Sequence, residues 1–284
     1  LYAGVCFSTE NQLVKANMAL AQAKKTCKTY VVYKHADNTQ KMHEANFQMT
    51  KIIKHAIENN EVKAFYQPIL DVKTQKILKH EALMRIVRDK KVLVPFDFLE
   101  LSKQTMEYHQ LSMLMIKQVL DIIKQNDIAV SINLTALDIS NDDTVEYIFN
   151  ELENFEDCHN VIFELTETDD LYGSNEVKEF LQKISLLGAK IAIDDFGTGY
   201  SNFSYLVDLD PDYLKIDGSL IKNIDTDRKS RTIVTSIVEF AKELNIKTIA
   251  EYVHNQEVLE VCQEIGVDEL QGYFIGKPEA VIKF

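Results

Sequence analysis

Apolar residues along this chain fall in short runs that end on an oxygen- or nitrogen-bearing side chain. Ile128-Ala129-Val130-Ser131-Ile132 runs into Asn133, Val161-Ile162-Phe163 into Glu164, and Ile191-Ala192-Ile193 into Asp194 and Asp195. Tyr213-Leu214 leads to Lys215 and Asp217, residues 246–250 lead to Glu251, residues 267–270 lead to Gln271-Gly272-Tyr273, and residues 77–80 lead to Glu81. Between most of these runs the apolar positions recur every three or four residues, as with Ile233, Ile237, Ala241 and Leu244, the spacing of a helix with one buried face. Strands alternating with helices of this length predict parallel βαβ units. The predicted fold is α/β, a (β/α)8 TIM-type barrel. Its C-terminal strand ends converge on one mouth, where acids far apart in sequence become neighbours.

Chemistry follows from what sits at those ends. Side chains alternate across a strand, so the adjacent Asp194 and Asp195 can act together only where the strand is ending and the backbone turns, and Phe196-Gly197-Thr198-Gly199 supplies that turn. Like charges side by side raise each other's pKa unless a cation lies between them, and carboxylate oxygens suit hard ions such as magnesium, manganese or calcium. A cluster of buried carboxylates without such partners would cost several kcal/mol per group, which argues against a purely structural role.

The residues Tyr66-Gln67-Pro68, Glu81-Ala82-Leu83 with Arg85, Asn133-Leu134-Thr135, Glu164-Leu165-Thr166-Glu167, Asp194-Asp195-Phe196-Gly197, Lys215-Ile216-Asp217, Ala250-Glu251 and Gln271-Gly272-Tyr273 resemble, in order and spacing, the motif series of the EAL-domain cyclic di-GMP phosphodiesterases. The resemblance runs from about Val62 to Pro278. It implies an enzyme of bacterial second-messenger signalling that hydrolyses one phosphodiester bond of cyclic di-GMP to the linear dinucleotide. It also implies two ions of magnesium or manganese, with calcium inhibitory. By similarity, Glu81, Asn133, Glu164 and Asp194 hold one ion and Asp194, Asp195 and Glu251 a second, with Asp217 a further candidate that can instead bond backbone at the strand terminus. A paired-metal site lowers the pKa of water and steadies attacking and leaving oxygens. Lys215, Asp195 and Glu251 are then the catalytic candidates, Glu251 as ligand or as proton acceptor. Arg85 can fork onto phosphate oxygens, Gln67 and Met84 face the ligand, and Gln271 orients the lysine or a carboxylate. The family also contains receptors that bind the nucleotide without cleaving it, and a barrel can serve as a scaffold, here as a homodimer through residues 196–208.

Composition is compatible with this reading. At 284 residues and 46% hydrophobic the chain can bury a full barrel core, and its net charge of -13 argues against a large surface for DNA or RNA duplexes. Cys6, Cys27, Cys158 and Cys262 show no paired spacing and read as thiols of a reducing, cytoplasmic compartment. No apolar run is long enough to span a membrane, so membrane contact by this fragment is not expected, although the full-length protein can be anchored elsewhere. Residues 1–46 differ from the rest: a strand at Tyr2–Phe7, a helix carrying Leu13, Ala16, Leu20 and Ala23, and a strand at Tyr30–Tyr33. This strand-helix-strand is similar to the end of a GGDEF domain, which implies upstream GGDEF and sensor domains as partners. The loop that names that module is absent, so no cyclase activity is expected. The charged stretch from Lys34 to Glu44 and a helix from Phe47 to Asn59 read as linker, and 47–284 as the barrel domain.

One departure from the family pattern stands out. After Ala250-Glu251 the family usually continues with glycine, a small apolar residue and a second glutamate, whereas here Tyr252, Val253 and His254 follow. A carboxylate accepts hydrogen bonds from a guanine edge, while a neutral imidazole offers one acceptor and a protonated one none. His254 is therefore expected to weaken substrate binding, or Tyr252 and His254 simply repack the edge of the site.

Overall fold

The computed structural model describes residues 3–5, 16, 19–20, 23, 29–32, 39–166, 175–197, 206–207 and 209–282. The chain divides into two compact units, Leu1–Lys54 and His55–Phe284. In the first, strands β1 (Ala3–Val5) and β2 (Tyr30–Val32) pair in parallel, as a strand-helix-strand requires, and the described residues between them that carry helical backbone include the buried Ala19 and Ala23. Helix α1 (Thr39–Glu58) begins upstream of the expected Phe47, because residues 39–46 contain no proline or glycine to stop it.

The second unit is built from β3 (Val62–Asp71), β4 (Lys76–Arg88) and β5 (Lys91–Leu93), then α2 (Pro95–Lys103) and α3 (Glu107–Asn126), then β6 (Ala129–Leu134), α4 (Ala136–Ile139), α5 (Asp142–Glu153), β7 (Val161–Thr166), α6 (Asn175–Leu186), β8 (Lys190–Phe196), β9 (Tyr213–Ile216), α7 (Gly218–Ile221), α8 (Arg228–Glu243), β10 (Lys247–Ala250), α9 (Gln256–Ile265) and β11 (Glu269–Gln271). The strand order β3-β11-β10-β9-β8-β7-β6-β4 closes on itself through a β3–β4 pairing, giving an eight-stranded barrel with β5 added outside β4. From β4 through β6 to β11 every pairing is parallel.

One strand runs the other way. β3 is antiparallel to both its neighbours, β4 and β11, so the barrel is mixed rather than wholly parallel. The cause is local: residues 72–75 connect β3 to β4 by a turn far too short for a crossover, and Asp71 fixes it by accepting from the Thr74 amide at 2.6 Å and hydroxyl at 2.7 Å. Elsewhere the expected pattern holds. β7 is buried from Val161 to Leu165, as a strand covered on both faces must be, and α3 turns Leu111, Met115, Ile116, Val119, Leu120 and Ile123 inward. Each such side chain removed from water contributes about 1.5–3 kcal/mol. Side-chain caps set the helix starts, with Asn141 accepting from the Thr144 amide, Asp227 from those of Lys229 and Ser230, and Asn255 from that of Val258. Cys158 and Cys262 are free and buried, whereas Cys6 and Cys27 lie outside the described residues. Among the described residues no helix is long and apolar enough to cross a membrane.

Candidate active site

Lys215 lies at the centre of the barrel mouth with no exposed surface. Its Nζ is 2.9 Å from Glu164 Oε2, 2.9 Å from Glu251 Oε1, 3.1 Å from Asp194 Oδ1 and 3.3 Å from Glu81 Oε2. These carboxylates come from β4, β7, β8 and the residue after β10, so the contacts cross the barrel interior and depend on closure of the sheet. Asn133 Nδ2 donates to Glu81 Oε1 at 2.9 Å, and Gln271 Nε2 donates to Glu81 Oε2 at 2.6 Å. Gln271 therefore positions a carboxylate rather than the lysine. Gln67, directly opposite Glu81 across β3 and β4, lies 3.4 Å from Gln271 and donates to the Gly276 carbonyl at 3.2 Å.

How both aspartates serve one site is visible in the backbone. Asp195 has φ +56°, in the left-handed region, and the β8–β9 register shifts between Ile193 and Phe196. An irregularity of this kind re-aims a side chain that strict alternation would send to the opposite face. Asp194, Asp195 and Glu251 consequently offer oxygens all within 4.8 Å of one another, a group able to hold a metal ion. Carboxylate oxygens are the donor set that hard divalent cations take.

One lysine cannot neutralise so many acids, and the carboxyl groups respond. Burial, with Glu81 and Asp194 adding repulsion, pushes Glu164 up to about 8 against the pull of Lys215. Burial, then Asp194 and Asp217, push Asp195 up to about 6. Glu251 is also held well above the usual carboxylate range, by burial first and then by Asp194 and Glu81. Glu81 goes the other way: burial alone would raise it, but Lys215 and the hydrogen bonds from Asn133 and Gln271 outweigh that and lower it. Lys215 is held well above its ordinary value, because its acidic neighbours overcome burial.

Above this centre opens a cavity of about 500 Å³, lined by Gln67, Glu81, Asp217, Glu251, His254 and Gln271, and also by Leu83, Gly218, Tyr252, Gly272 and Tyr273. Asp217 uses Oδ1 to accept from the Ser219 amide at 2.8 Å, capping α7, while standing close enough to Asp195 to raise its pKa. His254 turns Nδ1 toward the Tyr252 carbonyl at 3.2 Å. Met84 and Arg85 do not line this cavity, although Arg85 lies close enough to Tyr273 and Glu81 to feel their charge. Met84 lines a neighbouring apolar one of about 240 Å³ with Leu83, Pro95 and Leu99, and Arg85 is buried with Nη1 donating to the Met84 carbonyl at 2.8 Å. Glu167 and the Thr198-Gly199-Tyr200 portion of the glycine loop lie outside the described residues, as does most of the 196–208 region expected at a dimer contact. Sequence reasoning had not placed Leu83, Gly218 or Tyr273 at the cavity. Gly272 carried a signal: a Cβ there would lie 2.1 Å from the Val253 carbonyl oxygen, so only glycine lets the two loops pair.

Residues 50–278 match the EAL domain family. The chain belongs to that family. The cyclic di-GMP phosphodiesterase PdeB of Shewanella oneidensis is 33% identical over 242 residues, covering 82% of this chain and 28% of that protein. The signaling protein YkoW of Bacillus subtilis is 32% identical over 272 residues, covering 93% of this chain and 34% of that protein. The chain thus spans about a third of the length of the curated relatives it matches. Among solved structures, the PaMucR phosphodiesterase in complex with c-di-GMP aligns with a TM-score of 0.75 at 28% identity, over 82% of this chain and 97% of that one. An EAL domain protein from Listeria monocytogenes aligns with a TM-score of 0.72 at 30% identity, over 81% and 94%.

Proposed function

We propose that this chain is a metal-dependent phosphodiesterase that hydrolyses one phosphodiester bond of cyclic di-GMP to the linear dinucleotide. The observation that carries the reading is the buried Lys215 within 3.3 Å of four carboxylates, adjoining the Asp194, Asp195 and Glu251 group. That much negative charge at the mouth of a barrel repels an anionic substrate unless cations occupy it. Glu81, Asn133, Glu164 and Asp194 would hold one magnesium or manganese ion, and Asp194, Asp195 and Glu251 a second. Such ions would supply positive charge to the phosphoryl oxygens and lower the pKa of a bound water.

The chain's own groups do the rest. Lys215 presents a permanent positive charge beside the acids, fixed by its salt bridges, and steadies negative charge developing on the phosphoryl oxygens. Glu251, in contact with Lys215 and beside Asp194 and Asp195, is placed to accept a proton from the attacking water once its carboxyl is ionised. Gln271 and Asn133 keep Glu81 in one orientation. Gln67 and His254 line the cavity where the ligand enters.

Incubating the chain with cyclic di-GMP and magnesium, while measuring both bound nucleotide and linear product, tests the proposal. Linear product that disappears with a chelator and in Glu81→Ala or Asp194→Ala, with folding kept, supports it. Calcium should sustain binding with poor turnover, because its looser coordination misaligns the reacting groups. Binding without product in magnesium and in manganese would make the chain a receptor instead.

A further inference from the structure

Tyr252 occupies a position that costs the chain something and that packing does not explain. Its φ is +59°, a left-handed backbone conformation that a bulky side chain rarely adopts, yet its side chain is 60% exposed and returns little by burial. Room for it is made by the residue it faces, since a Cβ on Gly218 would stand 2.7 Å from the Tyr252 Cβ. The backbone beside it is pinned: the Val253 amide donates to the Gln271 carbonyl at 3.0 Å, and the Phe274 amide donates to the Val253 carbonyl at 3.1 Å. On its other flank the ring lies 5.5 Å from that of His254, tilted by 53°. The result is an aromatic face held at the wall of the cavity of about 500 Å³, one residue along the chain from Glu251 and its contact with Lys215.

We propose that Tyr252 is a stacking platform for one guanine base of the substrate and sets the affinity with which the site takes the dinucleotide. This rests on the phosphodiesterase reading. A base joined to a phosphate at the carboxylate cluster needs a flat apolar partner near that cluster, and every base has a π-face that an aromatic ring can meet without edge hydrogen bonds. A ring whose backbone is anchored next door and whose flank meets the His254 ring has less freedom to lose when the base arrives. Recognition by stacking is suited to a rim where an imidazole, rather than a carboxylate, is left to meet the base edge.

The experiment measures KM and kcat for cyclic di-GMP with magnesium, the Kd in calcium, and Tm, for the parent and for Tyr252→Phe, Tyr252→Leu and Tyr252→Gly. Losing the stack should raise KM and Kd roughly tenfold in the leucine and glycine variants, with kcat held to within about threefold and the phenylalanine variant within about twofold of the parent throughout. Tyr252→Gly should keep a Tm at or above the parent's, because glycine relieves the left-handed strain. A leucine variant with the parent's KM and Kd overturns the platform alone, as does a phenylalanine variant as weak as leucine. A parent that neither binds nor cleaves the dinucleotide overturns the functional reading and the platform with it.

Discussion

Among the described residues of the barrel two lysines are buried, Lys79 and Lys215, and their surroundings differ. Lys79 is paired with one acid, its Nζ lying 2.7 Å from Glu269 Oε2 and 3.2 Å from the centroid of the Tyr213 ring. Lys215 faces four carboxylates. The layers are neighbours, since Lys79, Tyr213 and Glu269 each stand two residues before Glu81, Lys215 and Gln271 on β4, β9 and β11. In the lower layer charge balances, and burial draws Lys79 down and Glu269 up, both toward their neutral forms. In the upper layer acids exceed the lysine, which is what a site built to receive cations requires and a structural core does not. The excess of acid, more than the burial of charge, separates the functional layer from the supporting one.

The largest effect expected from breaking this contrast is at Lys215. Lys215→Met removes the positive charge from among four acids, and turnover of cyclic di-GMP should fall roughly a hundred- to a thousandfold, the loss typical of removing a preorganised charge-stabilising donor. Metal affinity should not fall with it, because the acids remain. Single-turnover rates and a magnesium titration read the two separately, and a variant turning over near the parent's rate would remove Lys215 from the machinery.

The lower layer should respond in stability and not in chemistry. Lys79→Met strands the buried Glu269 carboxylate and should cost about 3–5 kcal/mol, whereas Lys79→Met with Glu269→Leu replaces both charges and should recover most of that. Urea unfolding measures the stability and steady-state kinetics the turnover. If the double variant folds as well as the parent but loses turnover as Lys215→Met does, the lower layer belongs to the site and the contrast fails.

The contrast also marks what the sequence could disclose. Apolar runs ending at Asn133, Glu164, Asp194 and Glu251 were enough to expect a barrel with acids at one mouth, because strand period and burial are local properties. The reversed strand was not read, although the short turn after Asp71 was present in the sequence. The convergence on Lys215 depends on which strands are opposite each other in the closed sheet, and no spacing along the chain encodes that directly. Arg85 illustrates the limit at the level of one side chain: its type suits a phosphate clamp, while the bond that one of its nitrogens gives the Met84 carbonyl has no signal in the sequence. The left-handed turn at Asp195 was foreshadowed by two adjacent acids that alternation would have separated.

The smallest effect sharpens the same contrast through protons. Raised carboxyl pKa values mean that the folded, metal-free chain binds these protons more tightly than the unfolded chain, so Asp195 and Glu164 contribute stability that is complete below the unfolded carboxyl pKa of about 4. That contribution is lost as pH climbs through about 6 for Asp195 and about 8 for Glu164. A divalent cation selects the ionised carboxylates, so its binding expels the protons, and each proton displaced weakens it by up to about tenfold per pH unit below the group's pKa. The gain in Tm from a fixed magnesium concentration should therefore widen between pH 5 and pH 8, by about 2–4 °C for each 1 kcal/mol in a chain of this size. Removing the lower-layer charges with Lys79→Met and Glu269→Leu should leave that widening intact, while Asp195→Asn should reduce it. Thermal scans with and without magnesium decide the point: a gap that stays flat across the range would mean that these acids give up no protons to the ion, and that the excess of acid around Lys215 is not there to hold one.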